Sequence, residues 1–217
     1  NGGIAMADIE MLVRRQRAYF ETGKTKSISW RIGALQTLKR EIRSRENEIR
    51  EALQADLKKS GFETYMSETG LVLSELSHMI RHLRGYAKDK TVATPLAQFH
   101  AKSFTSAQPY GVTLVMSPWN YPFMLALEPA IGAIAAGNCV VIKPSAYAPH
   151  TSAVIAELIS GCFAPHFVAV VEGGRTENTQ LLEQKFDFIF FTGSVAVGKL
   201  VMKKASEHLT PVCLELG

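Results

Sequence analysis

Apolar residues recur at helical spacing through the first third of the chain. Between residues 9 and 88 the apolar positions lie three or four residues apart, and one such series comprises Ile28, Ile32, Leu35, Leu38 and Ile42. This pattern predicts several amphipathic helices, each of which buries one face. Gly61 follows one helical segment and is predicted to end it, because glycine is common directly after helices.

The pattern changes at residues 91–109, which read "TVATPLAQFHAKSFTSAQP". Pro, Thr and Ser alternate there with apolar residues, and this composition favours extended structure over helix. We therefore predict an extended arm, in the form of a hairpin that projects outward.

Residues 110–217 alternate short apolar runs with helical segments. The apolar runs are "GVTLVM", "NCVVIKP", "FVAVVEGG", "FDFIFFTG" and "PVCLELG". Helical patterns occupy residues 122–136, 149–160, 178–184 and 195–208. Near-continuous apolar strands separated by helices predict a parallel sheet that is covered on both faces, with right-handed crossovers. The predicted fold class is α/β: a Rossmann-like parallel five-stranded sheet, preceded by an N-terminal helical segment and a protruding arm.

The patterns divide the chain into three segments: a helical lead (residues 6–90) packed on the sheet domain, an arm (91–109) and the sheet domain itself (110–217). The composition is consistent with such a protein. The 217 residues are 47% hydrophobic and 20% charged, which suits a globular protein with a sizeable core. The net charge of +4 comes without an aromatic or glycine-rich recognition motif, so nucleic-acid binding is not predicted. Charged and polar residues interrupt the longest apolar region, residues 123–142, so a membrane span is not predicted either.

Cysteine and histidine usage also bears on the class of protein. Cys139, Cys162 and Cys213 form no C-x-x-C pair, which favours a reducing compartment, and we expect a cytoplasmic protein. His78 and His82 stand four residues apart, as helical metal ligands can. No third ligand lies near them in the sequence, so an exposed helix edge is the preferred interpretation and no metal site is predicted.

Candidate chemistry follows the predicted strands. The segments "SPWN", "KPSA", "EGG", "FTGS" and "LELG" meet at the carboxyl edge of the sheet, where α/β proteins bind ligands. Each could be an ordinary turn, but together they supply an amide, a lysine, glycine turns and a carboxylate. In "FTGSVAVGK", Gly193, Ser194 and the following helix N-terminus suit a pyrophosphate, although the segment is not the G-x-G-x-x-G fingerprint. Lys143 is either a ligand-binding cation or a solvent-exposed turn lysine.

Four ordered motifs resemble the signatures of one enzyme family. The segments "SPWNYPF", "GNCVVIKPS", "FTGSVAVGK" and "LTPVCLELG" look like those of the NAD(P)-dependent aldehyde dehydrogenase superfamily. Residues 48–68, "EIREALQADLKKSGFETYMSE", resemble its class-3-like branch. The resemblance covers residues 6–217. It implies that an aldehyde is oxidised to a carboxylic acid with NAD or NADP, through a cysteine thiohemiacetal and a thioester.

The resemblance also implies roles for individual residues. Asn120 would donate its side-chain N–H to the oxyanion, and Glu215 would be the general base that activates water. Lys143 would contact the adenosine ribose and Ser194 the pyrophosphate. The remaining residues that the resemblance places at the cofactor are Trp119, Ser145, Ala146, Gly173, Gly193 and Val197. Ala146 stands where many NAD-using relatives have a glutamate that repels NADP, so we expect NADP to be accepted, unless another acidic side chain takes over that role.

The nucleophile is expected elsewhere. The resemblance places it in a separate catalytic domain beyond residue 217, so the chain alone is predicted to be inactive. Cys213 lies two residues before Glu215 on one strand face, and the carboxylate would raise the pKa of that thiol. All three cysteines are therefore interpreted as core residues.

The expected partners are an aldehyde substrate and further copies of the chain, in a homodimer or homotetramer to which the arm would contribute. Two other functions stay open at this point. One is a non-catalytic dinucleotide-binding module, and the other is an interaction fragment that uses the helical lead and the arm. A catalytic cysteine beyond residue 217 would favour the enzyme over both.

Overall fold

The computed structural model describes residues 6–217, and its first part is helical as predicted. The helices of the lead are α1 (Met6–Glu21), α2 (Ile28–Ser44), α3 (Glu46–Leu57), α4 (Gly61–Thr64) and α5 (Gly70–Tyr86). A 3-10 turn, Lys24–Lys26, precedes α2, and a π-helical turn, Tyr65–Thr69, joins α4 to α5. Leu35, Leu38 and Ile42 on the apolar face of α2 are fully buried, as their spacing predicts.

The predicted helix end at Gly61 is wrong. Helix α3 ends at Leu57, where Lys58 adopts a left-handed conformation with a φ of 58°. Gly61 instead begins α4, because the Ser60 hydroxyl accepts a hydrogen bond from the Glu63 N–H (3.1 Å) and caps that helix. Lys59 is thereby held in the short connection between the two helices.

Residues 91–109 contain the predicted hairpin. Strand β1 (Lys90–Val92) pairs antiparallel with β2 (Ser103–Thr105), and a 3-10 turn, Leu96–Gln98, lies between them. The Leu96, Phe99 and Phe104 side chains are exposed. A contribution of this arm to oligomerisation stays a prediction.

The second half of the chain is the predicted parallel sheet. Its strands are β3 (Val112–Met116), β4 (Cys139–Lys143), β5 (Val168–Val170), β6 (Phe188–Gly193) and β7 (Val212–Leu216). Its helices are α6 (Met124–Ala136), α7 (Pro149–Cys162), α8 (Arg175–Leu182) and α9 (Val195–Ser206). The strand order is β5-β4-β3-β6-β7, and every neighbouring pair is parallel. The fold prediction is confirmed.

The order of the strands reverses between β3 and β6. The chain proceeds from β3 outward to β4 and β5, then crosses back to β6 and continues to β7. Helices α6 and α7 cover one face and contact α2, α3 and α5 of the lead, whereas α1, α8 and α9 pack on the other face. Ligands bind in such sheets at the reversal, beyond the carboxyl ends of the strands.

The lead is tied to the sheet by polar contacts as well as by packing. Gln16 is fully buried, and its Nε2 donates to the carbonyl oxygens of Val140 and Pro165 at 3.0 Å each. The Arg17 guanidinium donates to the Asp187 carboxylate (2.9 Å), which also accepts from the Val112 N–H (2.8 Å). Within residues 6–217, no helix combines the length and the hydrophobicity needed to cross a membrane.

Candidate functional site

A groove of about 500 Å³ opens at the reversal point of the sheet. It is lined by Pro118, Trp119, Asn120, Thr192, Gly193, Ser194, Glu215, Leu216 and Gly217. The pairing register explains this grouping, because Met116 lies opposite Phe191 and Thr192 lies opposite Glu215. The amide, the phosphate-binding turn and the carboxylate that the sequence suggests therefore border one space.

The Asn120 side chain is exposed to this groove and has a defined orientation. Its Oδ1 accepts a hydrogen bond from the Tyr121 N–H (3.0 Å). Because a backbone N–H can only donate, this contact selects the oxygen of the amide and leaves Nδ2 as the outward donor. Across residues 6–217, no group accepts a hydrogen bond from Nδ2. The groove is thus provided with a neutral, oriented N–H donor.

Two buried side chains from the helical lead hold the backbone of this turn. Lys59 Nζ donates to the Asn120 carbonyl oxygen (3.0 Å) and to Glu68 Oε1 (2.5 Å). Glu68 Oε2 accepts from the N–H groups of Phe123 and Met124 at 3.0 and 2.9 Å. Neither Lys59 nor Glu68 carries a signal in the sequence that singles it out.

Glu215 is exposed near the end of β7, with Cys213 on the same side of the strand. The Cys213 thiol donates weakly to Glu215 Oε1 at 3.8 Å. Burial and the neighbouring Glu215 carboxylate raise the pKa of Cys213, which is the direction expected from the sequence. Burial also raises the pKa of Cys139 to about 12 and that of Cys162 to about 11. None of the three thiols is in an environment that favours a reactive thiolate.

The start of α9 offers donors for an anionic group. Ser194 Oγ accepts from the Val197 N–H (3.4 Å) and caps the helix, which leaves the hydroxyl hydrogen free to donate. The first N–H groups of a helix have no partners within the helix and carry its positive dipole end. Val197 itself is exposed on this first turn, outside the lining of the groove.

Two buried hydroxyls at the same edge have no partner within residues 6–217. They are Thr192 Oγ1 on β6 and Ser117 Oγ, directly after β3. Buried polar atoms are nearly always hydrogen-bonded in folded proteins, so orphaned ones beside a groove fit a polar ligand. Thr192 belongs to the "FTGS" motif, but its hydroxyl is not distinguished by sequence from that of an ordinary strand threonine.

Gly193 and Gly173 are required by close contacts. A Cβ at Gly193 would lie 2.6 Å from the Phe191 ring, so the absence of a side chain at this position accommodates that ring. Gly173 has a φ of 125°, and a Cβ there would overlap the Glu177 side chain. The Glu177 carboxylate accepts from the Gly174 N–H (2.6 Å), which closes the turn that follows β5.

Lys143 is buried at the end of β4, so its interpretation as a solvent-exposed turn lysine is wrong. The residue is only 3% exposed, and its Nζ donates to the Pro144 carbonyl oxygen at 2.6 Å. Burial lowers the pKa of Lys143 to about 8, and the Glu177 and Glu172 carboxylates partly oppose this shift. A buried ammonium with a single carbonyl acceptor retains hydrogens for a ligand.

Three other predicted cofactor residues, Ser145, Ala146 and Gly173, follow β4 and β5 and lie outside the lining of the groove at Asn120. Ser145 Oγ accepts from the Tyr147 N–H (3.3 Å), and Ala146 is exposed in the loop between β4 and α7. The structure therefore brings Trp119, Gly193 and Ser194 together with the two predicted catalytic residues. It places Lys143, Ser145, Ala146 and Gly173 at the β4 and β5 end of the same edge.

The histidine pair on α5 makes local contacts. His78 Nε2 hydrogen-bonds the Tyr86 hydroxyl (2.8 Å), and His82 Nδ1 contacts the His78 carbonyl oxygen (2.8 Å). The part of the chain that the structure describes contains no cluster of three or more side chains suited to a metal ion.

Comparison with known proteins decides the family. A sequence profile described as "Aldehyde dehydrogenase family" matches residues 3–217. The chain belongs to the aldehyde dehydrogenase family. The family that the four motifs indicate is therefore confirmed.

Relatives of this aldehyde dehydrogenase chain include a 4,4'-diaponeurosporen-aldehyde dehydrogenase from Staphylococcus aureus, 44% identical over 209 residues. The match covers 96% of this chain and 46% of that protein. Aldehyde dehydrogenase family 3 member B3 from Mus musculus is 45% identical over 208 residues. This match covers 96% of this chain and 43% of that protein. The match to a family 3 member agrees with the class-3-like resemblance of residues 48–68.

Solved aldehyde dehydrogenase structures share the fold. A substrate-bound state of Staphylococcus aureus AldH matches with a TM-score of 0.95 at 44% identity, covering 96% of this chain and 46% of that one. A Mycobacterium tuberculosis aldehyde dehydrogenase complexed with NAD+ matches with a TM-score of 0.88 at 25% identity. This match covers 100% of this chain and 45% of that one. The chain thus spans less than half the length of each of these relatives.

Proposed function

We propose that the protein carrying this chain oxidises an aldehyde to a carboxylic acid, with NAD or NADP as the oxidant. Family membership supports the reaction class. The observation that carries the proposal is the groove at the reversal of the sheet, which Asn120 and Glu215 line together. An oriented amide donor and an accessible carboxylate are the two groups that the reaction needs from this part of the protein.

The described residues fit a dinucleotide. Ser194 and the N–H groups at the start of α9 would bind the pyrophosphate, and Lys143 would donate to the adenosine ribose. Ser145, Ala146 and Gly173 would border the adenosine, with Gly193, Val197 and Trp119 along the rest of the cofactor. The orphaned hydroxyl of Thr192, which lines the groove, would provide a further donor. When bound, the nicotinamide supplies the oxidising equivalent.

The chain's own residues would act on the substrate as follows. Asn120 Nδ2 donates to the oxygen that becomes negatively charged when a nucleophile attacks the aldehyde carbon. The amide needs no rearrangement for this, because the Tyr121 N–H already holds its oxygen. Glu215 takes a proton from the water that hydrolyses the acyl intermediate.

We further propose that the attacking cysteine lies outside residues 1–217. The raised pKa values of Cys139, Cys162 and Cys213 support this, as does the greater length of the relatives. Residues 110–217 would then supply cofactor binding, and the arm at residues 91–109 would serve a homodimer or homotetramer. The inactivity of the chain by itself and its location in the cytoplasm stay predictions.

The test compares Asn120→Ala with wild type in the full-length protein, with a panel of aldehydes and both cofactors. Loss of one oxyanion donor should lower turnover by about a hundredfold or more, with cofactor binding unchanged. Asn47→Ala removes an exposed amide from α3 and should leave turnover as in wild type.

Two results would contradict the proposal in different ways. Unchanged turnover in Asn120→Ala would remove the oxyanion role from this residue. Tight binding of NAD or NADP by the full-length protein, with no oxidation of any aldehyde, would favour the non-catalytic dinucleotide-binding module.

A further inference from the structure

A lysine and a glutamate are buried together beneath the turn that carries Asn120. Lys59 is 6% exposed and Glu68 is fully buried, and their side chains form an ion pair of 2.5 Å. Both come from the helical lead, 61 and 55 residues before the turn atoms that they contact. The proposed mechanism leaves this pair without a role.

We propose that Lys59 and Glu68 are positioning residues for Asn120. They orient its side-chain amide by hydrogen-bonding to the backbone at both ends of the turn that begins at Asn120. The inference rests on the proposed function, because it assumes that the Asn120 amide acts on the substrate.

One peptide group connects Lys59 to the side chain of Asn120. The carbonyl oxygen of Asn120 and the N–H of Tyr121 belong to the same planar unit and point in opposite directions. Lys59 Nζ binds the carbonyl side at 3.0 Å, and Asn120 Oδ1 accepts from the N–H side at 3.0 Å. The lysine therefore fixes the plane of the peptide, and the peptide in turn fixes the rotamer of the asparagine.

Glu68 binds the far end of the turn. Glu68 Oε2 accepts from the N–H groups of Phe123 and Met124, where α6 begins. These donors have no partner within the helix, and a carboxylate at a helix N-terminus is favourable. Since Glu68 also pairs with Lys59, a single ion pair spans the turn from Asn120 to Met124.

The surroundings restrict the lysine further. Its Nζ lies 4.1 Å from the centroid of the Tyr121 ring, a favourable cation–π distance. Glu68 lies in the π-helical turn Tyr65–Thr69, a local widening of the helix that often occurs at functional sites. Burial raises the pKa of Glu68 even though Lys59 and two backbone N–H groups oppose this shift. Since buried ion pairs add little net stability, the clearest consequence of this one is geometric.

The experiment is a double-mutant cycle between Lys59 and Asn120 in the full-length protein. Lys59→Met keeps the length of the side chain and removes its donors, and it should lower kcat by about tenfold or more because the amide is displaced. Since the lysine acts through Asn120, adding Lys59→Met to Asn120→Ala should change kcat by less than about twofold. The Kd for NAD or NADP should stay near that of wild type in each variant.

Two further variants serve as control and as second test. Lys39→Met removes a lysine that donates to Ser77 Oγ (2.7 Å) between α2 and α5, and should leave kcat unchanged. Glu68→Gln keeps an oxygen acceptor for the turn but removes the ion pair, and should lower kcat by less than Lys59→Met does. If Lys59→Met does not fold, Glu68→Gln takes its place in the cycle with Asn120→Ala.

The outcomes separate this inference from the proposed function. If Asn120→Ala leaves kcat unchanged, the proposed function fails at this residue and the inference fails with it. If Asn120→Ala lowers kcat but Lys59→Met does not, the inference alone is wrong. The inference is also overturned if the decreases in kcat caused by Lys59→Met and Asn120→Ala multiply in the double variant. A parallel decrease in cofactor affinity would overturn it too, because a merely structural role of Lys59 predicts both results.

Discussion

Lys143 shows how burial sets the properties of a single side chain. At a pKa of about 8 the buried ammonium is largely charged at neutral pH, yet within residues 6–217 its one hydrogen-bond acceptor is the Pro144 carbonyl. It can therefore donate to a ribose or attract a phosphate. Ala146 follows shortly after in the exposed loop and brings no negative charge, whereas Glu172 is one of the two carboxylates that influence Lys143.

Cofactor preference tests this arrangement. With alanine at position 146, no carboxylate there repels the 2′-phosphate of NADP, so the full-length protein should accept NADP at least as well as NAD. Ala146→Glu should shift the ratio of kcat/KM for the two cofactors toward NAD, and Ala153→Glu on α7 is the matched control. If the wild-type protein strongly prefers NAD, Ala146 does not determine the choice between NAD and NADP. Loss of that preference in Glu172→Gln would show that Glu172 determines it instead.

Motifs reveal some site residues and not others. Asn120 and Glu215 can be predicted because each lies in a short motif with a family resemblance, and they do line one groove. Lys59 and Glu68 cannot, because the turn atoms that they contact lie more than fifty residues away along the chain. The burial of Lys143 is also invisible to the sequence, since it depends on packing around the end of β4.

Among the elements, α7 has an unusual N-terminal cap. Its own N-cap residue, Ala148, has no side-chain acceptor, and Asp56 at the end of α3 takes that role. The buried Asp56 carboxylate accepts from the Thr151 N–H and hydroxyl at 2.7 and 2.8 Å, and from the His150 N–H at 3.2 Å. Since α7 directly follows the loop with Ser145 and Ala146, this cap fixes the end of the loop that carries these two predicted cofactor residues.

Removing the cap should loosen α7. Asp56→Ala should lower the local free energy of unfolding of α7 by about 0.5–2 kcal/mol, the usual cost of losing a cap. Hydrogen exchange of the α7 amides in the full-length protein measures this quantity. His150→Ala, which removes a largely exposed ring, is the control and should have a smaller effect. Unchanged exchange in Asp56→Ala would show that the carboxylate does not hold the helix.

The same cap predicts a pH dependence with a definite sign. Burial alone would raise the pKa of Asp56, but the hydrogen bonds from Thr151 and His150 outweigh it, and the pKa is lowered. A lowered carboxyl pKa stabilises the folded state above the ordinary value, about pH 4, and this contribution is lost as the pH falls through the lowered pKa. The free energy of unfolding of wild type should therefore exceed that of Asp56→Asn most clearly above about pH 4. This difference in the free energy of unfolding should shrink as the pH falls further.

Element types follow from local patterns, whereas their arrangement does not. The five apolar runs predict the strands β3–β7, because parallel strands buried on both faces need continuous apolar sequence. The helix end at Gly61 was predicted wrongly because the Ser60 cap outweighs the general preference for glycine after helices. The order β5-β4-β3-β6-β7 depends on contacts between distant segments, which periodicity does not encode.

Over residues 6–217, side chains of the helical lead contact the segments that follow the strands of the sheet. The lead supplies Lys59 and Glu68 beneath the Asn120 turn and Asp56 at the start of α7. Its contribution therefore reaches both ends of the edge where the cofactor is proposed to bind. The groove itself is formed by the sheet domain alone and is open, with Glu215 and Asn120 exposed.

In the proposed function, this chain supplies the oxyanion donor and the general base to a cysteine located elsewhere. The most direct measurement uses Glu215→Gln in the full-length protein, mixed rapidly with aldehyde and NAD or NADP and then analysed by peptide mass spectrometry. We expect a burst of reduced cofactor, slow turnover afterwards, and an acyl group on a cysteine outside residues 1–217. An acyl group on Cys139, Cys162 or Cys213, or steady-state turnover equal to that of wild type, would contradict it.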